Sequence, residues 1–254
     1  MLTTSQLSIT AHDKLLLDDV SITLKPATLY ALIGHNGSGK STLIKALAGE
    51  TKPTQGAITL DDQDLSQFSP KTLAKQLAYL PQKLPDQAGF TVTDLVMLGR
   101  FAYQSWLGKP SDQDNAIVQD AMNLTDTQQF AQRPLIDLSG GEKARAWLAM
   151  CLAQRAKYLL LDEPLAPLDV VYQVQMLRLI QRLAHELGLC VLVIVHDINL
   201  VAGFFDEVIA LKGGRLCYVG SADKLMTAET LADIFGVDFK LLTHPISHKK
   251  VAVV

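Results

Sequence analysis

Little in this sequence favours a membrane-spanning, secreted or nucleic-acid-binding protein. Its three cysteines, Cys151, Cys190 and Cys217, are odd in number, widely spaced and set among apolar residues, which reads as buried free thiols rather than disulfides or metal ligands. Long hydrophobic runs are missing too. The longest, Tyr158 to Leu161 and Cys190 to Val195, fall far short of the roughly 20 residues that a membrane helix needs. No basic start followed by an apolar stretch opens the chain, because Thr3, Thr4, Ser5 and Gln6 interrupt it. No signal peptide is therefore expected, and the chain is expected to stay in the cytoplasm. A formal net charge of −3, with Lys and Arg scattered, provides no field for a polyanion and argues against DNA or RNA as main partner. Of the six histidines only His244 and His248 have a metal-ligand spacing, and they sit in a polar tail expected to be unstructured. There is no internal repeat and no low-complexity tract.

What is present suffices for a full core: 254 residues, 48% of them apolar, fit one large domain or a core with a sizeable insertion. Short β-rich runs at Gln6 to Thr10 and Val20 to Lys25 predict a small antiparallel region, and Leu29 to Ile33 a buried strand ending at a glycine. From Lys40 to Leu47 the pattern is helical, with Gly49 as its stop. Between Thr91 and Ala153 helical patterns dominate, at Val92 to Arg100, Asp114 to Leu124 and Gly141 to Ala153. β-α alternation then resumes: a strand at Tyr158 to Asp162, a helix at Val170 to Leu187 closed by Gly188, and a strand at Cys190 to Val195. Two β-α stretches flanking a helical block imply one parallel sheet interrupted by a helical insertion.

Gly34-His35-Asn36-Gly37-Ser38-Gly39-Lys40-Ser41 fits G-x-x-x-x-G-K-[ST] between an apolar strand and a helix. A loop with few Cβ atoms lets consecutive N–H groups curl around phosphate oxygens, and the helix start adds its positive dipole end. Lys40 supplies a mobile charge for β- and γ-phosphates, and Ser41 a hydroxyl for Mg²⁺. Tyr158 to Pro164 is an apolar run ending in two acids, as expected of a buried parallel strand that delivers carboxylates to the sheet's carboxyl edge. There Asp162 can hold the magnesium through water, and Glu163 can polarise an attacking water. The strand at Cys190 ends in His196-Asp197 on the same predicted edge, where His196 can reach a γ-phosphate.

Leu138-Ser139-Gly140-Gly141-Glu142 reads locally as an S-x-x-E capping box ahead of an apolar helix face made by Ala144, Trp147, Leu148, Cys151 and Leu152. Its double glycine also resembles the signature sequence of ABC ATPases, LSGGQ. The rest of the chain resembles that family nearly end to end. Gln82 in Tyr79-Leu80-Pro81-Gln82 looks like the Q-loop glutamine that reaches the metal and attacking water, Leu165 to Asp169 like the D-loop, and His196 like the switch histidine.

The resemblance implies a P-loop NTPase (RecA-like) α/β fold with a small antiparallel β region and an inserted α-helical subdomain. Residues 1–254 would form one ABC ATPase domain, with 1–87 and 155–254 as catalytic core and 88–154 as signature subdomain. ATP would be bound by Gly34 to Ser41 with Thr42, by Ser139, Gly140, Gly141 and Glu142 of a second copy, and by Asp169. Mg²⁺ would be held by Ser41, Gln82 and Asp162, and Glu163, His196, Gln82 and Lys40 would carry catalysis. Two copies would face each other head to tail around two ATP, bound to an integral membrane permease and, through it, to a substrate-binding protein. The expected location is the cytoplasmic face of the inner membrane, peripherally.

A narrower resemblance, to the ATPases of ferric-siderophore importers of the ferric hydroxamate type, rests on four further segments: Leu32 to Ser41, Ala78 to Gln82, Leu98-Gly99-Arg100-Phe101 and Leu161 to Asp169. Val195 to Asn199 agrees as well, and haem and cobalamin importers share much of this pattern. Long coiled-coil insertions and a second cassette, the marks of soluble ABC ATPases that act on nucleic acid or the ribosome, are missing. Two departures stand out: Glu142 replaces the signature's glutamine, and Ala11 and His12 occupy the place of the aromatic that commonly stacks on adenine. His12 is the candidate left there.

Overall fold

The computed structural model describes residues 1–84, 89–104, 109–246 and 248–254. They divide into two compact units, Met1–Gln67 with Gln181–Val254, and Phe68–Ile180. The first unit opens with β1 (Leu2–Ala11), β2 (Lys14–Leu24), β3 (Thr28–Ile33), α1 (Lys40–Leu47), β4 (Gln55–Leu60) and β5 (Gln63–Asp64). The second contains α2 (Pro70–Leu73), β6 (Leu77–Leu80), α3 (Val92–Leu98), α4 (Asp112–Leu124), α5 (Gly140–Ala153) and β7 (Tyr158–Leu161). Helix α6 (Val170–Glu186) starts in the second and ends in the first. The first unit then continues through β8 (Cys190–Ile194), α7 (Ile198–Phe204), β9 (Glu207–Lys212), β10 (Arg215–Ser221), α8 (Ala222–Leu225), α9 (Ala228–Phe235), β11 (Lys240–Thr243) and β12 (Lys250–Val253).

In the first unit, β2, β1, β4 and β5 form an antiparallel sheet in that order. His12 and Asp13, both with positive φ, make the two-residue turn that joins β1 to β2, a backbone twist that suits a tight hairpin. A second sheet runs β10-β9-β3-β8, with β3 parallel to both β8 and β9. β3 and β8 are buried almost throughout, which is why they read as continuous apolar runs rather than alternating ones. Their register, from Thr28 opposite Cys190 to Leu32 opposite Ile194, brings their carboxyl ends out side by side.

In the second unit β6 and β7 are parallel, with Leu80 opposite Leu161. The helices around them carry their own N-terminal caps: α3, α4 and α5 each begin with a complete capping box, Thr91 with Asp94, Ser111 with Asp114, and Ser139 with Glu142. Arg100 and Asp114 form a buried pair at 2.8 Å, and a second guanidinium N–H of Arg100 donates to the Ala153 carbonyl. Those extra bonds offset the cost of removing both charges from water.

Several sequence expectations need correcting. β1 and β2 begin earlier than their apolar alternation suggests, because bulges at Gln6 and Asp19, both at positive φ, interrupt the two-residue period. The segments between Gly49 and Thr91 and beyond Val195 hold strands that the apolar pattern did not reveal. The tail is not unstructured: β11 and β12 pair as a hairpin, and His244 donates its N–H to the Lys249 carbonyl. The Asn199 side chain holds that hairpin, its amide donating to the Ala252 carbonyl at 3.1 Å and accepting the Ala252 N–H at 2.8 Å. Cys151 and Cys190 are buried as expected, but Cys217 is only half-buried, its thiol donating to the Ala210 carbonyl.

Candidate functional site

In the first unit, β3 feeds the loop from Gly34 to Gly39, and α1 starts directly after it. Gly34 lies at φ +143, and a Cβ there would run into the carbonyl oxygen of Leu211, so only glycine leaves β3 this way. Helix α1 begins at Gly39 in the left-handed region, with no side-chain cap and no acid in its first turn. Its first N–H groups therefore have no intrahelical partners and the dipole end is not neutralised. Lys40 is buried, and its ammonium donates to the carbonyls of Gly34 and His35 at 2.8 and 3.0 Å, so the charge lies inside the loop it would serve. Ser38 is fully buried with a hydroxyl that meets no partner among the described residues, beneath a loop in which His35, Asn36 and Gly37 are exposed. Ser41 and Thr42 follow on the first turn, half-buried. This is a cradle of N–H donors with one internal cation, chemistry that suits a polyphosphate.

The same unit brings His196 to the adjacent strand end. The Val195 N–H donates to the Leu32 carbonyl, which keeps the last turn of β8 beside β3, and His196 is exposed just beyond it. Asp197 caps α7 through Oδ1, accepting the N–H groups of Asn199 and Leu200.

The second unit places Gln82 and the two acids together. Leaving the paired ends of β6 and β7, the Gln82 amide donates to Glu163 Oε2 at 2.6 Å. Asp162 is 3% exposed, with the Tyr79 hydroxyl 3.5 Å from its Oδ2. Glu163 is half-buried at φ +54, a backbone state that L side chains other than Asn and Asp seldom adopt. Strain of this kind turns the chain sharply right after β7 and separates the surroundings of two adjacent carboxylates. A cavity of about 150 Å³, lined by Leu80, Leu148, Leu161 and Met176, is also bordered by Gln82 and Glu163.

Ser139 and Glu142 start α5 on the surface. The Ser139 N–H and hydroxyl each donate to Glu142 Oε2 at 2.8 Å, and the Glu142 N–H donates back to the hydroxyl at 3.3 Å. These bonds hold the Glu142 carboxyl below the usual carboxylate range, the Ser139 backbone N–H foremost. Gly140 and Gly141 form the first turn. Asp169 caps α6, its Oδ1 accepting the N–H groups of Val171 and Tyr172.

Sequence reasoning assigned no role to Tyr79, Arg133 or Asn199. Tyr79 and Asn199 stand inside segments singled out on other grounds and Arg133 in none, and all three meet their partners only through folding. Among the described residues no cluster of three or more His, Cys, Asp or Glu is arranged to hold a metal ion.

A family model described as ABC transporter matches residues 17–166. The chain is 38% identical over 252 residues to the iron(3+)-hydroxamate import ATP-binding protein FhuC of Bacillus subtilis (strain 168), across 99% of this chain and 94% of that protein. It is 39% identical over 238 residues to the hemin import ATP-binding protein HmuV of Bordetella parapertussis, across 91% and 90%. Among solved structures, cbiO1 of Clostridium perfringens, part of the ABC transporter complex cbiONQ, matches with a TM-score of 0.80 at 27% identity, across 91% of this chain and 92% of that one.

Proposed function

The chain belongs to the ABC transporter family as an ATP-binding subunit, and from that premise we propose that it drives uptake of an iron-siderophore complex by hydrolysing ATP. The nucleotide half of this reading is carried by the start of α1, an uncapped helix end behind a glycine-rich loop with a buried lysine folded into it, and the cargo half by the identity to an iron(3+)-hydroxamate import protein. Gly34 to Thr42 would bind the phosphates, with Lys40 neutralising charge as the γ-phosphoryl group is transferred to water. Glu163 would act as general base, oriented by the Gln82 amide that already donates to it. His196 would hydrogen-bond the γ-phosphate, and Ser139 to Glu142 would meet ATP held by a second copy, with Asp169 in the adjoining D-loop.

Ser41, Asp162 and Gln82 would hold magnesium, since a hydroxyl, a carboxylate and an amide oxygen are the hard donors that this ion takes while it retains waters. Bound magnesium would neutralise phosphate charge. We further propose residues 88–154 as the signature subdomain, 1–87 with 155–254 as catalytic core, and a head-to-tail homodimer on a membrane permease at the cytoplasmic face of the inner membrane. Among the described residues no helix is long and apolar enough to cross a membrane. A substrate-binding protein would deliver the cargo.

The identity to a hemin import protein favours haem as the second reading of the cargo. Reconstitution with the permease in lipid separates the two. MgATP hydrolysis stimulated by a binding protein loaded with ferric siderophore supports the first, and stimulation by haem alone supports the second. Glu163→Gln should slow hydrolysis by about 10²–10⁴ while ATP binding persists, and normal turnover by that variant would overturn the mechanism.

A further inference from the structure

We propose that Glu142 is a resident anion at the start of α5, which an incoming phosphate must displace, and that Arg133 receives the displaced carboxylate. The proposal rests on the reading that Ser139 meets ATP held by a second copy. The backbone N–H and hydroxyl of Ser139 each have one proton to give, and both are given to Glu142 Oε2. A phosphate oxygen seeking those protons competes with the carboxylate directly, and the two anions repel at that distance. The usual family residue, glutamine, could cap the same N–H groups without the charge.

The helix itself has little room to yield. A Cβ on Gly141 would lie 2.9 Å from the Tyr172 ring, so α6 backs the first turn closely and the side chain is the part left to move.

Arg133 is placed to accept it. Its Nη1 stands 3.5 Å from Glu142 Oε1, the oxygen that Ser139 does not use, a separation that a rotation of the carboxylate would shorten. The guanidinium is already oriented: Nη2 donates to the Asp137 carbonyl at 2.7 Å, and the Phe130 ring lies 5.2 Å beneath. Its backbone is tied at both ends, the N–H to the Phe130 carbonyl and the carbonyl to the Val92 N–H. Arg133 is therefore a positioning residue, acting on nucleotide through Glu142.

The test uses the full chain carrying Glu163→Gln and follows dimerisation by sedimentation as MgATP is raised. Adding Glu142→Gln should lower the ATP needed for half-dimerisation about tenfold, and adding Arg133→Ala should raise it about threefold to tenfold. Arg133→Lys should restore most of that loss, and it serves in place of the alanine variant, with a smaller rise, if the latter does not fold. With both Glu142→Gln and Arg133→Ala the midpoint should match Glu142→Gln alone, because Arg133 matters only while residue 142 is charged. A dimer whose midpoint ignores Glu142→Gln, or an Arg133 effect that survives in the double variant, overturns this proposal and leaves the dimer intact. No dimer at any ATP concentration overturns the underlying reading and this proposal with it.

Discussion

Two helices of this chain begin in opposite ways. Helix α1 starts with glycine, no side-chain cap, no acid in its first turn and a buried lysine, whereas α5 starts with a full capping box and a carboxylate at its third position. A side-chain cap contributes about 0.5–2 kcal/mol to a helix, so α1 forgoes what α3, α4 and α5 all take. An uncapped end is less stable alone and open to an anion from outside. An end filled by its own carboxylate is capped from within and meets an outside anion only by exchange.

The largest effect should come from removing the charge at the open end. Lys40→Ala is expected to lower ATP hydrolysis about 10²–10³-fold in a steady-state assay, and a change under threefold would remove α1 from the comparison. Converting one end into the other is the sharper test: Thr42→Asp gives α1 a third-position acid like that of α5. ATP affinity should then fall about tenfold in a titration with a fluorescent analogue, and an unchanged affinity would mean that phosphate does not approach this helix start. The reverse conversion, Ser139→Ala, should cost about 1 kcal/mol of stability in urea unfolding.

Acid should produce the smallest difference. Asp94, Asp114 and Glu142 are held below the usual carboxylate range, by hydrogen bonds from Thr91, from Arg100 and Ser111, and from Ser139 respectively. A lowered folded value means that their stabilisation is complete above about pH 5 and lost as pH falls through the ordinary carboxylate range and the lower folded values. Hydrogen exchange should therefore quicken first at the starts of α3, α4 and α5, while the start of α1, which has no acid to protonate, changes least.

The same contrast explains what could be read from the sequence. Helix α1 is legible to the residue, since its helical pattern runs from Lys40 to Leu47 and Gly49 stops it locally. The three capping boxes are equally local signals, and the one at Ser139 was read from spacing alone. β1 and β2 were found only beyond their bulges, because one extra residue shifts every later side chain to the other face. The tail hairpin was illegible for another reason: a side-chain amide 53 residues away holds it, and no periodicity carries that information. Among the candidate site residues, the phosphate loop and the acids after β7 stood out as motifs. The Gln82 to Glu163 bond and the approach of Arg133 to Glu142 depend on folded distances, which spacing does not encode.

The two sealed thiols supply a use of their own. Cys151 on α5 and Cys190 on β8 lie one in each unit, and burial pushes both up to about 12. Neither can react with an alkylating reagent until its surroundings part. Their labelling rates are thus two separate clocks built into one unmodified chain, able to time the breathing of each unit as nucleotide comes and goes.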